Sequence, residues 1–173
     1  MQPQMYEIIV PEFQKLLGAM KGYFDKAVQH ADQKKYDVAN LFTARLTPDQ
    51  YALGKQVEVT CFLAEECLGR LAGQVPPKRE KSVNSVATAK ERIDLALSYI
   101  SGLSKESFQG WEERPVDIFF APGKYLPGYQ YLTQLGIPNL HFHLVTVYAI
   151  LRHNGVDVGK MDYLGPVSFL DKK

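Results

Sequence analysis

Three of the four histidines of the chain fall within residues 138–156, which read PNLHFHLVTVYAILRHNGV. Apolar residues recur there at helical spacing, which predicts one amphipathic helix ended by an Asn-Gly stop; they are Leu140, Leu144, Val147 and Leu151. At about 100° per residue, His143 falls on the shoulder of the apolar face, with Asn139 one turn before it. Neutral imidazole is a good ligand for zinc or nickel, whereas an Asn amide is a poor one for soft metals. His143 is therefore the first candidate site residue.

The spacing of the histidines argues against a metal site built by this helix alone. The rings of His141 and His143 lie about 200° apart around a helix, so they do not chelate one ion. His143 and His153 lie roughly 15 Å apart along the axis. We interpret His143 as a hydrogen-bonded core histidine, with a role as a ligand-binding or metal-binding residue as the alternative.

A second helix supplies the other candidates. Thr47-Pro48-Asp49-Gln50 carries the signals of a helix start, because Thr47 is a good cap, Pro48 suits the first helical position and Gln50 completes a capping box. This start predicts a helix to about Ala72, with Gly73 as its stop. Gln56 lies at the edge of its apolar face, one turn before Thr60. The small residues on this face leave space for a ligand or a water, although close packing against another helix is the preferred interpretation; they are Thr60, Ala64 and Cys67.

The rest of the chain predicts further helices and one break in the pattern. Apolar spacing and stop signals predict a first helix starting at Pro11, after an extended lead or an early helical turn in residues 1–10. They also predict a third helix starting at Ser85 or Thr88, and a helical segment before Pro138. Between them, alternation and turn residues in 109–127 predict a small two-stranded excursion. We expect residues 157–173 to be irregular. Four principal helices predict an all-α helical bundle, with residues 1–173 in a single domain.

Composition excludes several classes of function. The 173 residues carry a net charge of +1, which gives no electrostatic reason to expect nucleic acid or an acidic membrane as a partner. No apolar run approaches the length of a membrane span, and the N-terminus lacks a signal-peptide pattern. Cys61 and Cys67 are poorly placed for a disulfide, so we expect a reducing, cytoplasmic setting. Phosphate-binding loops, HExxH, CxxC and GxSxG motifs are missing from the sequence.

The C-terminal third carries two specific motifs, AILRHNGV at 149–156 and GKMDYLG at 159–165. Together with PNLHFH, ARLTPDQ at 44–50 and Gln56, they closely resemble a domain-of-unknown-function family. That family is similar to a branch of the DinB/YfiT-like superfamily of four-helix bundles. The resemblance spans nearly the whole chain. It implies a DinB-like bundle with a hairpin-like excursion before the last helix, and a homodimer.

The same resemblance implies a degenerate metal site. Several superfamily members bind a divalent metal through one histidine of the second helix and an HxxxH pair of the last helix, and some of them are thiol-dependent transferases. When the last helices are matched at Leu151-Arg152, His143 takes the place of the second histidine of the pair and Asn139 that of the first. The second helix has no histidine, and Gln56 is the nearest polar residue.

Three functional hypotheses follow. The leading one is a DinB-like bundle protein that binds a small ligand between its helices through His143, Asn139, Gln56 and Thr60, with no catalytic residue or cofactor assigned. The first alternative is a thiol transferase or hydrolase in which His143 binds a divalent metal, zinc or nickel, that lowers the pKa of a thiol or water. The second is a homodimeric interaction protein without a catalytic site.

Overall fold

Four long helices dominate the chain. The computed structural model describes residues 5–171, and its helices and strands follow the order α1 (Met5–Lys34), α2 (Leu53–Leu71), α3 (Val86–Ser101), β1 (Pro115–Asp117), β2 (Tyr125–Pro127), α4 (Gly128–Tyr131), α5 (Ile137–His153) and α6 (Lys160–Leu164). Short 3-10 helices span Val38–Thr43 and Lys105–Phe108, and a π-helical turn spans Leu132–Gly136. Within the described residues, no helix is both long and apolar enough to cross a membrane.

The long helices close into a bundle. Helix α2 packs against α3 and α5, and α1 packs against the same two helices from the other side. Large apolar side chains from all four fill the centre, which accounts for most of the driving force for folding; among them are Phe13, Leu17, Phe24, Val57, Leu68, Ile93, Ile100, Leu144 and Val147. The predicted all-α four-helix bundle is confirmed.

The predicted β excursion is also confirmed. Strands β1 and β2 pair antiparallel, with Val116 opposite Leu126. Val116 is buried in the core, so an apolar contact fixes the hairpin to the bundle. A two-stranded hairpin is only marginally stable on its own, and the contact of Val116 with the bundle stabilises it further.

The predicted start of α1 was wrong. Helix α1 begins by Met5, so Pro11 lies inside the helix and not in its first turn. Met5 and Val10 are buried, and Tyr6 packs on Phe108 with ring centroids 5.4 Å apart. Burial of these side chains outweighs the backbone hydrogen bond that a proline removes.

The predicted start of α2 was also wrong. The Thr47 hydroxyl donates to the Asp49 carboxylate at 2.8 Å, so it does not cap a helix there. Residues 47–50 form a turn closed by the bond from Gln50 N–H to the Thr47 carbonyl, at 3.2 Å. The helix begins at Leu53, after an extended Ala52.

The C-terminal segment holds more structure than its composition predicts. Residues Lys160–Leu164 form α6, which packs on α1. The Asp162 carboxylate accepts from the Gly159 N–H at 2.7 Å and pairs with Lys26 of α1 at 2.7 Å. The expected irregularity is therefore wrong for these five residues, because a short helix is stabilised by contacts that a local pattern does not contain.

The last helix does not restart at Pro138. Helical backbone runs from Gly128 through the π turn into α5, with the Ile137 N–H bonded to the Leu132 carbonyl. A Cβ on Gly136 would overlap the Cys67 sulfur, so glycine allows the start of α5 to approach α2 closely. This approach positions the candidate site described next.

Candidate functional site

The imidazole of His143 meets Gln56 across the contact between α5 and α2. The distance from His143 Nδ1 to Gln56 Oε1 is 2.7 Å. Gln56 is buried and His143 half-buried. The structure thus brings together two of the three polar residues that the resemblance singled out on these helices, His143 and Gln56.

Tyr51 completes the arrangement, and the sequence did not reveal it. The backbone carbonyl of Tyr51 accepts from Gln56 Nε2 at 3.3 Å. Its ring stacks beside the imidazole of His143, with centroids 6.4 Å apart and planes 20° apart. Tyr51 was expected inside α2, where its carbonyl would bond along the helix. Because α2 begins only at Leu53, that carbonyl is available to Gln56.

These contacts fix the tautomer of the neutral His143 ring. Since Gln56 Nε2 donates to Tyr51, Gln56 Oε1 faces the imidazole, and His143 Nδ1 must carry the hydrogen. Burial lowers the pKa of His143 below its ordinary value, which favours the neutral ring. The other nitrogen, Nε2, has no hydrogen-bond partner within residues 5–171 and is not buried. It therefore offers a lone pair.

The side chains of the other two predicted site residues take no part in the contact between His143 and Gln56. The Thr60 hydroxyl is buried and donates to the Gln56 carbonyl at 2.8 Å, so its proton is used within α2. Asn139 is exposed and lines a shallow groove of about 40 Å³ together with Phe62, Leu63 and residues of the hairpin. Across the described chain, no hydrogen bond joins the Asn139 side chain to His143, Gln56 or Thr60.

The remaining histidine and thiol candidates have structural roles. His141 Nδ1 lies 2.7 Å from the Tyr163 hydroxyl, which connects α5 to α6. Cys61 and Cys67 are free and buried. Burial raises the pKa of the Cys61 thiol to about 12 and raises that of Cys67 as well. Both thiols are therefore protonated at neutral pH and are not nucleophiles.

Comparison with known proteins decides the family. The profile of the family described as "Domain of unknown function (DUF1993)" matches residues 5–164. The chain belongs to the DUF1993 family. A crystal structure of a DinB family member protein from Shewanella denitrificans is 39% identical to it, with a TM-score of 0.93 over 97% of this chain and 96% of that one. Among curated proteins, no relative matches the chain.

The donor set of this DUF1993 protein does not fit the three-ligand metal site that the superfamily resemblance implies. Where α5 contacts α2, the described residues offer one imidazole, that of His143. Gln56 faces it from α2, and Asn139 lines the separate groove. Within residues 5–171, no three side chains of His, Cys, Asp or Glu are grouped to hold a metal ion. An amide oxygen bound to an imidazole N–H orients that ring, but it does not replace a histidine as a zinc ligand.

Proposed function

We propose that this DUF1993 protein binds a small organic molecule at His143, between the start of α2 and the middle of α5. The observation that carries the proposal is the bond from His143 Nδ1 to Gln56 Oε1, at 2.7 Å. It holds the ring in one tautomer and leaves Nε2 as a hydrogen-bond acceptor. A binding residue fixed by a buried partner is the arrangement that specific recognition requires.

The surroundings of His143 indicate the class of ligand. The ring of Tyr51 stacks on one side, and that of Phe142 meets the imidazole edge-on, with centroids 5.1 Å apart. Both rings are exposed on their outer sides. A planar apolar molecule that carries one hydroxyl, amide or amine donor fits this chemistry, because aromatic side chains bind its body while Nε2 accepts its proton.

A matched pair of probes tests the proposal. We expect phenol to perturb the NMR resonances of His143 and Tyr51 in a saturable way, and anisole, which lacks the donor, to bind at least about fivefold more weakly, since one hydrogen bond contributes about 1 kcal/mol. His143→Phe keeps the ring and should abolish the preference for phenol. Equal binding of the two probes, or a preference that persists in His143→Phe, would contradict the proposal.

Lowering the pH provides an internal control. The folded protein disfavours the charged imidazole, so protonation of His143 occurs only below the ordinary histidine pKa. Phenol binding should therefore be constant at neutral pH and fall once His143 Nε2 is protonated. His143→Ala separates binding from packing: a loss of stability with no change in phenol binding would favour a packing role alone.

Binding of zinc or nickel at His143 is the alternative that the superfamily resemblance implies, and one accessible imidazole nitrogen is the only feature of the described residues that supports it. Because one neutral ligand holds a divalent ion weakly, we expect the untagged protein to retain no stoichiometric metal after incubation with zinc or nickel and desalting. Elemental analysis measures this directly. Stoichiometric metal that disappears in His143→Ala would favour a transferase or hydrolase.

Homodimer formation is also a proposal. It is supported by the resemblance and by two apolar side chains on the outer face of α5, Phe142 and Val145, which are 55% and 45% exposed. Neighbouring apolar side chains on an outward helix face are typical of association surfaces. In this alternative the pair of His143 and Gln56 only fixes the packing of α5 on α2.

A further inference from the structure

A second cluster of polar residues lies away from His143, around the buried carboxylate of Glu65 on α2. Glu65 Oε2 accepts from Arg92 Nη2 of α3 at 2.5 Å. Glu65 Oε1 accepts from Arg79 Nη2 at 3.2 Å and from Arg79 Nε at 3.4 Å. Two guanidinium groups therefore share one carboxylate. One positive charge remains without a counter-charge in this cluster.

The excess charge is associated with an unused donor. Arg92 Nη1 is buried and has no hydrogen-bond partner in the part of the chain that the structure describes. The side chain of Arg92 is only 6% exposed. Buried donors are almost always paired with protein or with a bound molecule, because an unpaired one costs the free energy of its lost hydration. Within the described residues the guanidinium of Arg92 is therefore only partly compensated.

Arg92 also lines a cavity. We call this cavity of about 170 Å³ the arginine pocket, and its walls include Val59, Phe62, Arg79, Lys81 and Arg92. An adjoining cavity of about 180 Å³ shares Arg79, Lys81 and Arg92. The adjoining cavity has two acids in its wall, whereas the arginine pocket has one. The arginine pocket is thus the better site for an anion.

The lysines at the arginine pocket are already neutralised. Lys55 pairs with Glu58 at 2.8 Å, and Lys81 pairs with Glu91 at 2.5 Å. The uncompensated charge therefore comes from Arg79 and Arg92 alone. A net charge of about one favours a monoanion over a polyanion. Val59 and Phe62 add an apolar wall, so the ligand needs an apolar part.

We propose that the arginine pocket binds a small organic monoanion, with its oxyanion group on Arg92 and Arg79 and its apolar body against Val59 and Phe62. Guanidinium groups bind carboxylates and phosphates through paired, charge-assisted hydrogen bonds. An apolar cavity of about 150 Å³ holds benzene, so the pocket suits a ligand near the size of an aromatic carboxylate.

Benzoate is the probe for this site, with inorganic phosphate as a second probe for the oxyanion without the apolar body. Heteronuclear NMR at constant ionic strength, with chloride as the reference salt, follows the amides of Val59, Phe62 and Arg92. We expect saturable binding of benzoate at these amides and weaker binding of phosphate. A preference for phosphate would overturn the role of the apolar wall, and no binding beyond chloride by either probe would overturn the site.

Arg79→Gln is the informative variant, because it removes the excess charge and keeps the bond between Arg92 and Glu65. Loss of a charge-assisted contact should weaken benzoate binding about tenfold. Lys90→Gln is the matched control, since Lys90 lies on α3 but pairs with Asp25 of α1. Equal weakening in both variants would indicate non-specific attraction and overturn the site. An unchanged affinity in Arg79→Gln would do the same.

Arg92→Lys tests the geometry of the guanidinium. The charge is kept and the planar pair of donors is lost, so benzoate should bind about tenfold more weakly in a variant that still unfolds cooperatively. If Arg92→Lys does not fold, Arg79→Gln decides the question alone. Full affinity in a folded Arg92→Lys would contradict the proposed contact.

Discussion

Replacing Glu65 by Gln is expected to lower the free energy of unfolding by about 3–5 kcal/mol. Glu65 is fully buried and is the carboxylate that Arg79 and Arg92 share. Without it, Arg92 remains buried as a charge without a counter-charge, which costs far more than the loss of one hydrogen bond. Urea denaturation followed by circular dichroism measures the change.

Glu66→Gln is the matched control for this prediction. Glu66 is the next residue on α2 and pairs with Arg70 one turn later, where both side chains are partly exposed. Exposed pairs of this kind contribute between zero and about 1 kcal/mol. In addition, Glu65→Gln/Arg92→Met should lose less than the sum of the two single variants, because each single variant leaves the other residue unpaired. Equal losses in Glu65→Gln and Glu66→Gln would contradict the prediction.

Gly54→Ala is expected to lower the free energy of unfolding by about 1–3 kcal/mol, even though alanine is the better helix former. Gly54 lies in the first turn of α2, and a Cβ there would overlap the backbone carbonyl of Val83. The segment cannot shift easily, because the Val83 N–H donates to the Glu58 carboxylate at 2.8 Å. Thermal and urea denaturation both report the loss.

Two glycines of α1 provide controls, because their replacement by alanine should stabilise the protein. Gly18 and Gly22 lie within α1, and a Cβ at either position would have no neighbour within 4 Å. Gly18→Ala and Gly22→Ala should therefore each raise the free energy of unfolding by roughly 0.5–1 kcal/mol, because alanine restricts the unfolded chain and favours the helix. A destabilised Gly18→Ala, or a neutral Gly54→Ala, would show that the local geometry is different.

The helices could be predicted from the sequence because their apolar spacing is set by the core they bury. The ends of α2 at Gly73 and of α5 at Asn154-Gly155 were also predicted, since stop signals act within a few residues. The starts predicted at Pro11 and Thr47 were wrong, because α1 begins by Met5 and α2 begins at Leu53. A start signal competes with other local hydrogen bonds and with burial. The Asp49 carboxylate accepts from the Thr47 hydroxyl, which therefore does not cap a helix, and burial of Met5 extends α1 toward the N-terminus, beyond Pro11.

The candidate site was only partly predictable. The resemblance singled out His143 and Gln56, and the structure joins them, but the contact with Tyr51 depends on where α2 begins. Glu65 shares helical spacing with Cys61 and Leu68, which could have placed it on the inner face of α2. Its partners lie 14 and 27 residues later in the chain. No local pattern connects positions so far apart.

The π turn at Leu132–Gly136 has a consequence for the placement of the hairpin. A π turn closes each hydrogen bond over one more residue than an α turn does. One residue removed from this segment would restore the α-helical period and rotate everything before it by about 100° around the axis of α5. Strand β2 leads directly into this helix, so the hairpin would swing away from Phe62 and Leu63. The number of residues in this single turn thus determines on which side of the bundle the hairpin lies.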